Sequence, residues 1–434
     1  MSEMLNQIKA KAVTAAEAVK LVQSGDTVYA GTCTSVAYAL LDALGDRAGE
    51  LENVNLTCSQ IIRPVRVMSG KDEAFRTTTY FMGAQERNMQ KVGKADYTCV
   101  HLSQVDIFCR ETAPADVVLL EVSLPDEDGY MSFGASGVAL NCYLLEKARN
   151  VILQVNRHVP YVLGENNRIH WSQADAIVFA DQELVENPEL PVDDTINTIS
   201  DYLLDQIPDG ACIQLGLGGV ANAVGYGLTQ KNDLGAHTEL MSDSIMELMK
   251  LGVLNNSRKS FMPGKTVSAF TFGSKALYDF VDHNEDMYFM PFPVVNDPVN
   301  IAKNDNMISI NTALAIDIFG QVNADNIAGR QHSATGGQVD FVRGAQMSRG
   351  GKSFIAVTST YKNGTASRIV SQFPMGTCVT TPRSDVQYVV TEFGCVNLKT
   401  LSMKERVRAM ISLAHPDFRP QLTEDARKAG FLWA

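Results

Sequence analysis

Helical and strand-like patterns alternate along this chain of 434 residues. Thr14 and Glu17 have the spacing of a helix capping box, and apolar positions within 19–22 form the stripe of an amphipathic helix. Gly25 then ends this helix, and a strand is predicted over 27–30. The pattern therefore predicts a helix, a turn and a strand in that order.

The same order returns with a constant offset of 185 residues. An apolar stripe over 196–204 predicts a helix, and a strand is predicted over 211–215. In each copy a helix-compatible stretch leads to a further strand, predicted over 54–58 or 235–239. The matched glycines are Gly25 with Gly210 and Gly31 with Gly216. This indicates a weak internal duplication, and a chance match of a common unit is the alternative.

The rest of the second half alternates strand patterns with helical or loop segments, which favours a mostly parallel sheet. These strands are predicted over 267–271, 307–310, 353–357 and 386–390. An acidic, proline-containing stretch at 183–194 separates the halves. The sequence thus predicts an α/β protein with two related domains, residues 1–190 and 191–434.

Composition narrows the class of protein and its partners. The chain is 45% hydrophobic and 20% charged, as expected for a folded soluble protein. A net charge of −12 disfavours nucleic acid and anionic lipid as partners. No apolar run approaches the length of a membrane span, and the N-terminus lacks a signal-peptide pattern. We expect no membrane association, and a homodimer because symmetric pairs are the commonest soluble oligomers.

Eight cysteines are scattered without a CxxC pair, mostly within apolar stretches. This pattern is typical of reduced thiols in a core, so we expect a cytoplasmic protein. The stretch 31–35, which contains Cys33, is the part of the sequence most similar to a nucleophile elbow such as GxSxG. We expect Cys33 instead to have a packing role in the N-terminal half, which we expect to bind no ligand. The seven histidines are dispersed and HExxH is absent, so we expect no catalytic metal.

Glycines at 216, 218 and 219 directly follow the strand predicted over 211–215, and a helix is predicted over 221–228. Such a turn lets backbone amides approach a ligand, and the start of a helix favours negative charge. The series Gly216-x-Gly218-x-x-Ala221, with Glu239 further on, also satisfies the dinucleotide-binding fingerprint. A tight turn without a ligand is a third interpretation.

The stretches 214–219 and 237–243 resemble the acetate, butyrate and 4-hydroxybutyrate CoA-transferase family, which is related to acetyl-CoA hydrolases. The resemblance extends over essentially the whole chain. The other matching stretches are Asn296-Asp297-Pro298, 310–314, 336–345, 391–394 and 414–418. One departure is Asp297, because many members of the family have histidine at that position.

The resemblance implies two related open α/β domains with mostly parallel sheets and an active site between them. It implies that Glu239 is a covalent nucleophile, with Asn296, Gly336 and Gly337 as candidate donors to an oxyanion. It implies no cofactor beyond the substrate coenzyme A. The residues implied along the path of coenzyme A are Gln214, Leu215, Gly216, Leu217, Gly218, Gly219, Leu314, Gly337 and, at a phosphate, Lys362.

The chemistry suits a glutamate, because a carboxyl with a pKa of about 4.3 is ionised near neutrality and needs no general base. The resemblance implies exchange of coenzyme A between a short-chain acyl-CoA and a carboxylate of the acetate, butyrate, propionate or 4-hydroxybutyrate class. Three alternatives stay open: an acyl-CoA hydrolase using the same glutamate, a nucleotide-dependent dehydrogenase, and a catalytically silent CoA-binding protein.

Overall fold

The computed structural model describes residues 3–188 and 191–432. In the N-terminal half the strands are β1 (Thr27–Thr32), β2 (Val54–Ser59), β3 (Phe75–Phe81), β4 (Ala95–Tyr97), β5 (Val117–Val122), β6 (Tyr130–Ser132), β7 (Asn150–Val155), β8 (Arg168–His170) and β9 (Ala176–Phe179). The helices are α1 (Glu3–Lys9), α2 (Ala15–Ala18), α3 (Tyr38–Asp46), α4 (Ala84–Lys91), α5 (Val105–Ile107), α6 (Gly134–Gly137) and α7 (Asn141–Leu144).

The C-terminal half continues the alternation of strands and helices. Its helices are α8 (Asp194–Leu204), α9 (Gly219–Gly227), α10 (Asp243–Lys250), α11 (Lys275–Val281), α12 (Phe292–Val295), α13 (Pro298–Ala302), α14 (Gln338–Met347), α15 (Met403–Leu413) and α16 (Arg419–Lys428). Its strands are β10 (Cys212–Leu215), β11 (Gly235–Met241), β12 (Thr266–Thr271), β13 (Met287–Phe289), β14 (Met307–Asn311), β15 (Ala315–Asp317), β16 (Val322–Asn323), β17 (Asn326–Ile327), β18 (Arg330–Gln331), β19 (Lys352–Ala356), β20 (Thr360–Tyr361), β21 (Ala366–Ser367), β22 (Ile369–Val370), β23 (Tyr388–Thr391) and β24 (Gly394–Asn397).

The two large sheets have the same connectivity over seven strands. The first has seven parallel strands in the order β4-β3-β2-β1-β5-β7-β9. The second has the order β13-β12-β11-β10-β14-β19-β23-β24, in which β24 is antiparallel to β23. Gly25 and Gly210, which the offset of 185 matches, both have positive φ, 85° and 74°. The shared order supports the predicted duplication, and the α/β fold class with mostly parallel sheets is confirmed.

Apolar residues explain why the central strands are buried. All six residues of β5 and all four of β10 are buried, as expected for parallel strands covered on both faces. Helices such as α3 and α8 turn their apolar residues inward. Asp193 caps α8, and the predicted capping box of Thr14 with Glu17 caps α2.

One predicted strand starts later than its apolar pattern suggests. The sequence predicts a strand over 386–390, whereas β23 begins at Tyr388. The amide of Val386 donates to the carbonyl of Pro382 at 3.3 Å, so this residue belongs to the preceding turn. Local turn formation thus competes with the sheet for this backbone group.

Contacts within the chain form two compact units. The first comprises residues 3–188 together with Glu239–Asp243 and Val267–Val295, and the second comprises the other described residues. Glu239 therefore belongs to the first unit by its contacts. The domain limits 1–190 and 191–434 stay a prediction. In the described ranges 3–188 and 191–432, no helix has the length and apolar character that crossing a bilayer requires.

A buried carboxyl group lies near the carboxyl end of β5. Three side-chain amides, from Asn156 (2.9 Å), Gln182 (2.6 Å) and Gln154 (3.4 Å), all donate to Oε1 of Glu121. Within the described part of the chain, its Oε2 has no hydrogen-bond partner. Burial raises the pKa of Glu121 to about 8, although the Asn156 and Gln182 hydrogen bonds and the charge of Arg63 oppose this shift.

We predict that Glu121 makes stability depend on pH. The pKa of Glu121 is about 8 in the folded protein and near 4.5 in the unfolded chain. The contribution of protonated Glu121 to folding stability is therefore complete below pH 4.5 and is lost as pH rises through 8. Relative to Glu121→Gln, the wild-type free energy of unfolding should fall by up to about 4 kcal/mol between pH 5 and 9. Urea unfolding of both proteins across this range measures the difference. Parallel pH profiles of the two proteins would contradict the prediction.

Candidate functional site

Strand β10 marks the point where the order of the second sheet reverses. It pairs in parallel with β11 on one side, Cys212 opposite Gly235, and with β14 on the other, Leu215 opposite Ile310. In open parallel sheets, ligands bind at such a reversal, beyond the carboxyl ends of the strands. The loops that follow β10 and β14 therefore form the candidate ligand site.

Gln214 is held inside the sheet just before the first of these loops. It is 3% exposed, and its Oε1 accepts hydrogen bonds from Ser309 Oγ at 2.7 Å and Asn311 Nδ2 at 3.4 Å. Asn311 also donates to Ser309 Oγ at 2.9 Å. This network joins the ends of β10 and β14, so Gln214 stabilises the base of the site.

The glycine loop leaves the sheet directly after Leu215. The Gly216 amide donates to the Ile310 carbonyl at 3.0 Å, which extends the pairing by one residue. Gly218 has φ 117° and ψ 175°, a conformation that almost only glycine adopts, and it directly precedes α9. Leu217 is 43% exposed at the tip of the turn. The loop therefore presents small residues and the start of a nine-residue helix at the sheet edge.

Gly336 and Gly337 lie beside the second loop. Gly336 has φ 58°, and Gly337 precedes the first residue of α14, Gln338. The Gln338 side chain donates to the Thr312 carbonyl at 2.8 Å and accepts from Thr381 Oγ1 at 2.9 Å. Gln338 thus ties the diglycine turn to the loop after β14. In the sequence, Gln338 stands only as one residue of the matching stretch 336–345.

A half-buried arginine connects Leu314 with the hairpin that carries Lys362. Arg368 donates to the Leu314 carbonyl at 3.0 Å, and its guanidinium lies 5.2 Å from the centre of the Tyr361 ring. Burial lowers the pKa of Arg368. Lys362 occupies the exposed turn between β20 and β21, with its ammonium 5.5 Å from the same ring. Arg368 is a candidate cation that sequence reasoning missed.

Glu239 lies on β11, two residues before the strand ends at Met241. Its side chain is partly exposed, whereas both neighbours along the strand, Thr238 and Leu240, are buried. The Ser268 hydroxyl donates to the Glu239 backbone carbonyl at 3.2 Å. A partly exposed carboxylate near the carboxyl end of a parallel strand is well placed to meet a ligand.

The structure gives a physical reason for the departure at position 297. Asn296 is fully buried, and Asp297 is the N-cap of α13, where its side chain accepts a hydrogen bond from the Val299 amide at 2.9 Å. Aspartate is among the preferred residues at this position, and Pro298 fits the first turn of a helix. Asp297 therefore stabilises the start of the helix that follows Asn296.

The corresponding loop of the first sheet is filled by its own chain. After β1, the Ser35 hydroxyl accepts the amides of Ser136 at 3.1 Å and Gly137 at 2.8 Å, both in α6. Cys33 is buried, and burial raises the pKa of its thiol to about 12. A thiol with so high a pKa is a poor nucleophile near neutrality. This agrees with the packing role predicted for Cys33.

A polar pocket of about 340 Å³ lies in the first unit, away from the predicted residues. Its lining includes Arg157, Glu183, Lys275 and Asp282, and none of the predicted site residues. Lys275 pairs with Asp279 at 2.6 Å, so this charge is already neutralised by a neighbour. The carboxyl ends of β10 and β14 therefore remain the candidate site. In the described ranges, no cluster of histidine, cysteine, aspartate and glutamate is arranged to bind a metal ion.

Comparison with known families gives two matches along the chain. The acetyl-CoA hydrolase/transferase N-terminal domain matches residues 2–187. The acetyl-CoA hydrolase/transferase C-terminal domain matches residues 273–426. Glu239 and the loop 216–219 lie between the two matched segments, so their roles depend on the relatives that span the whole chain.

Two curated relatives cover almost the full length. The chain is 39% identical to a succinyl-CoA:cyclohexane-1-carboxylate CoA transferase of Geobacter metallireducens, over 97% of this chain and 96% of the relative. It is 40% identical to a 4-hydroxybutyrate coenzyme A transferase of Clostridium kluyveri, over 97% of this chain and 98% of the relative. The crystal structure of RipA from Yersinia pestis, at 36% identity, matches with a TM-score of 0.93 and covers 99% of this chain and 100% of that one.

Proposed function

Because this chain belongs to the acetyl-CoA hydrolase/transferase family, we propose that it is a CoA-transferase that exchanges coenzyme A between a short-chain acyl-CoA and a carboxylate. The observation that carries the mechanism is the placement of Glu239, a partly exposed carboxylate near the carboxyl end of β11. The full-length relatives named CoA transferases support the reaction class.

The reaction proceeds through two covalent states of Glu239. Its carboxylate attacks the acyl-CoA thioester, which forms an acyl-glutamyl anhydride and releases CoA thiolate. The thiolate then attacks the glutamyl carbonyl, which releases the first acid and leaves a glutamyl-CoA thioester. A second carboxylate attacks this thioester, and the same steps in reverse yield the new acyl-CoA. No general base is needed, because the nucleophile is already an anion.

Each attack places negative charge on a carbonyl oxygen, which hydrogen-bond donors must stabilise. We assign this role to the backbone amides of Gly336 and Gly337 and to the Asn296 side chain. One such donor contributes about 3 kcal/mol in other enzymes. The glycine turn suits the role because Gln338 fixes it to the loop after β14.

Coenzyme A binds along the loops that follow β10 and β14. Residues 214–219 and Leu314 line its path, and the start of α9 favours its negative charge. Lys362 and Arg368 supply cations on one connected surface, since both contact the Tyr361 ring. Binding of the remote nucleotide helps to stabilise the transition states that lead to the anhydride.

The family name covers hydrolysis as well as transfer, and the difference depends on water. A hydrolase would release free CoA from the glutamyl thioester without any carboxylate acceptor. We favour transfer because the full-length relatives bear that name. The acids that these relatives use differ, so a panel of acyl-CoA donors and carboxylate acceptors defines the pair that this protein prefers.

We predict that acyl-CoA modifies Glu239. After incubation with acetyl-CoA, peptide mass analysis should find coenzyme A on the peptide that contains Glu239, and added butyrate should remove it. Glu239→Gln should lower turnover by roughly 10³-fold or more, because the amide is a far weaker nucleophile. Glu247→Gln is the matched control, since Glu247 forms an exposed ion pair with Lys250 on α10 and should keep full activity.

Three outcomes would contradict this prediction. Transfer by a protein that stays unmodified would exclude the covalent mechanism. Turnover by Glu239→Gln with altered NAD(H) affinity would indicate the dehydrogenase. Binding of coenzyme A without adduct or turnover would indicate the silent CoA-binding protein.

We predict that Gly218→Ala weakens binding of coenzyme A by about tenfold or more, because the loop must leave a conformation that only glycine readily adopts. Gly264→Ala is the matched control, since Gly264 also has positive φ (76°) and an added Cβ meets open space at both positions. Isothermal titration calorimetry with CoA measures both variants. Equal affinity of Gly218→Ala and wild type would show that coenzyme A does not depend on this turn.

We also propose a cytoplasmic homodimer, without nucleic acid, membrane, metal or further cofactor. All eight cysteines are free thiols within the described residues, which suits a reducing compartment. Light scattering coupled to size exclusion should give twice the chain mass of 47.3 kDa, about 95 kDa, at micromolar protein. A mass that stays at one chain would contradict the dimer.

A further inference from the structure

A carboxylate joins the turns that follow β11 and β12. Asp243, four residues after Glu239, is the first residue of α10. Its Oδ2 accepts the Ser274 backbone amide at 3.0 Å, and its Oδ1 accepts a short hydrogen bond from the Ser274 hydroxyl. Both carboxylate oxygens of Asp243 are therefore engaged by one residue of the neighbouring turn.

The turn around Ser274 packs closely against Asp243 and Leu277. A Cβ added at Gly273 would lie 2.3 Å from Asp243 Oδ2 and 2.6 Å from Leu277 Cδ2. Ser274 is also the N-cap of α11, where its Oγ accepts the Leu277 amide at 3.3 Å. Ser274 thus links the Asp243 carboxylate to a helix whose start is itself fixed.

The backbone between Glu239 and Asp243 is held to β12 at further points. The Ser268 hydroxyl donates to the Glu239 carbonyl at 3.2 Å, and the Phe272 amide donates to the Met241 carbonyl at 3.4 Å. Together with the Asp243 pair, these bonds fix the chain on both sides of Met241. The direction in which the Glu239 side chain leaves the strand depends on this short segment.

From the geometry we infer that Asp243 and Ser274 are positioning residues for Glu239, and this inference rests on the proposed function. Neither residue supplies reacting atoms. A nucleophile must be held within a fraction of an ångström of its attack geometry, and a misplacement of 1 Å can lower the rate roughly 100-fold. Because Asp243 lies two residues beyond the end of the strand that carries the nucleophile, losing its two hydrogen bonds releases that end of the strand.

Asp243→Ala and Ser274→Ala test the pair. Each should lower kcat for CoA transfer by roughly 10–100-fold. Each should leave KM for acyl-CoA within about twofold, because the loops that bind coenzyme A are unchanged. The double variant should be no slower than the slower single variant, since Asp243→Ala already removes the hydroxyl hydrogen bond that Ser274→Ala removes. Ser274→Thr, which keeps the hydroxyl, should restore kcat to within about threefold of wild type.

Thr14→Ala is the matched control for loss of a helix cap. Thr14 caps α2 through the Glu17 amide, as Ser274 caps α11, so both variants should lose similar thermal stability. Only Ser274→Ala should slow formation of the glutamyl-CoA adduct at saturating acyl-CoA. If Asp243→Ala does not fold, Ser274→Ala and Ser274→Thr still test whether Ser274 positions Glu239.

The inference would be overturned if Ser274→Ala kept the wild-type kcat. It would also be overturned if the effects of the two alanine variants on kcat simply multiplied in the double variant. Glu239→Gln separates this failure from failure of the proposed function. If that variant is inactive while Ser274→Ala keeps full kcat, only the positioning role is wrong. If Glu239→Gln keeps its activity, the proposed mechanism itself fails.

Discussion

Parallel pairing on both sides of β10 is the constraint on which the candidate site depends. Cys212 pairs with Gly235 and Leu215 with Ile310, so β10 has a fixed register with both neighbours. Parallel strands cannot be joined by short hairpins, so each carboxyl end must release its chain into a loop at the sheet edge. The glycine loop and the loop after β14 are therefore neighbours because of the topology, whatever their own sequences favour.

The two sheets share one connectivity but differ at the corresponding reversal point. After β1, the Ser35 hydroxyl binds amides of α6, so the chain itself occupies the position. After β10, an added Cβ at Gly218 meets open space in the described part of the molecule. A duplicated α/β unit can thus keep its fold while only one copy leaves the loop at its reversal point open. The two loops therefore differ in their small residues and φ values, while the strands that precede them are arranged alike.

Much of the fold could be predicted because periodicity and turn residues act locally. The apolar pattern over 235–239 predicted a strand that the structure has as β11. The glycines after Leu215 predicted the turn between β10 and α9, which the structure also has. Residues that act through contacts distant in sequence were not predictable. Arg368 reaches the Leu314 carbonyl across 54 positions, and Gln338 reaches Thr312 across 26. No local pattern distinguishes such side chains from exposed ones, because their partners are defined only after the sheet has formed.

Two glutamates near the carboxyl ends of parallel strands show why burial decides chemistry. Glu121 on β5 is fully buried, and its raised pKa of about 8 keeps it largely protonated at neutral pH. A neutral carboxylic acid has little nucleophilic character, so Glu121 serves as an acceptor for the amides of Asn156 and Gln182. Glu239, two residues before the end of β11, is partly exposed, so its side chain is accessible from outside the core. The residue type is the same on both strands, and the difference in exposure separates a structural group from a candidate nucleophile.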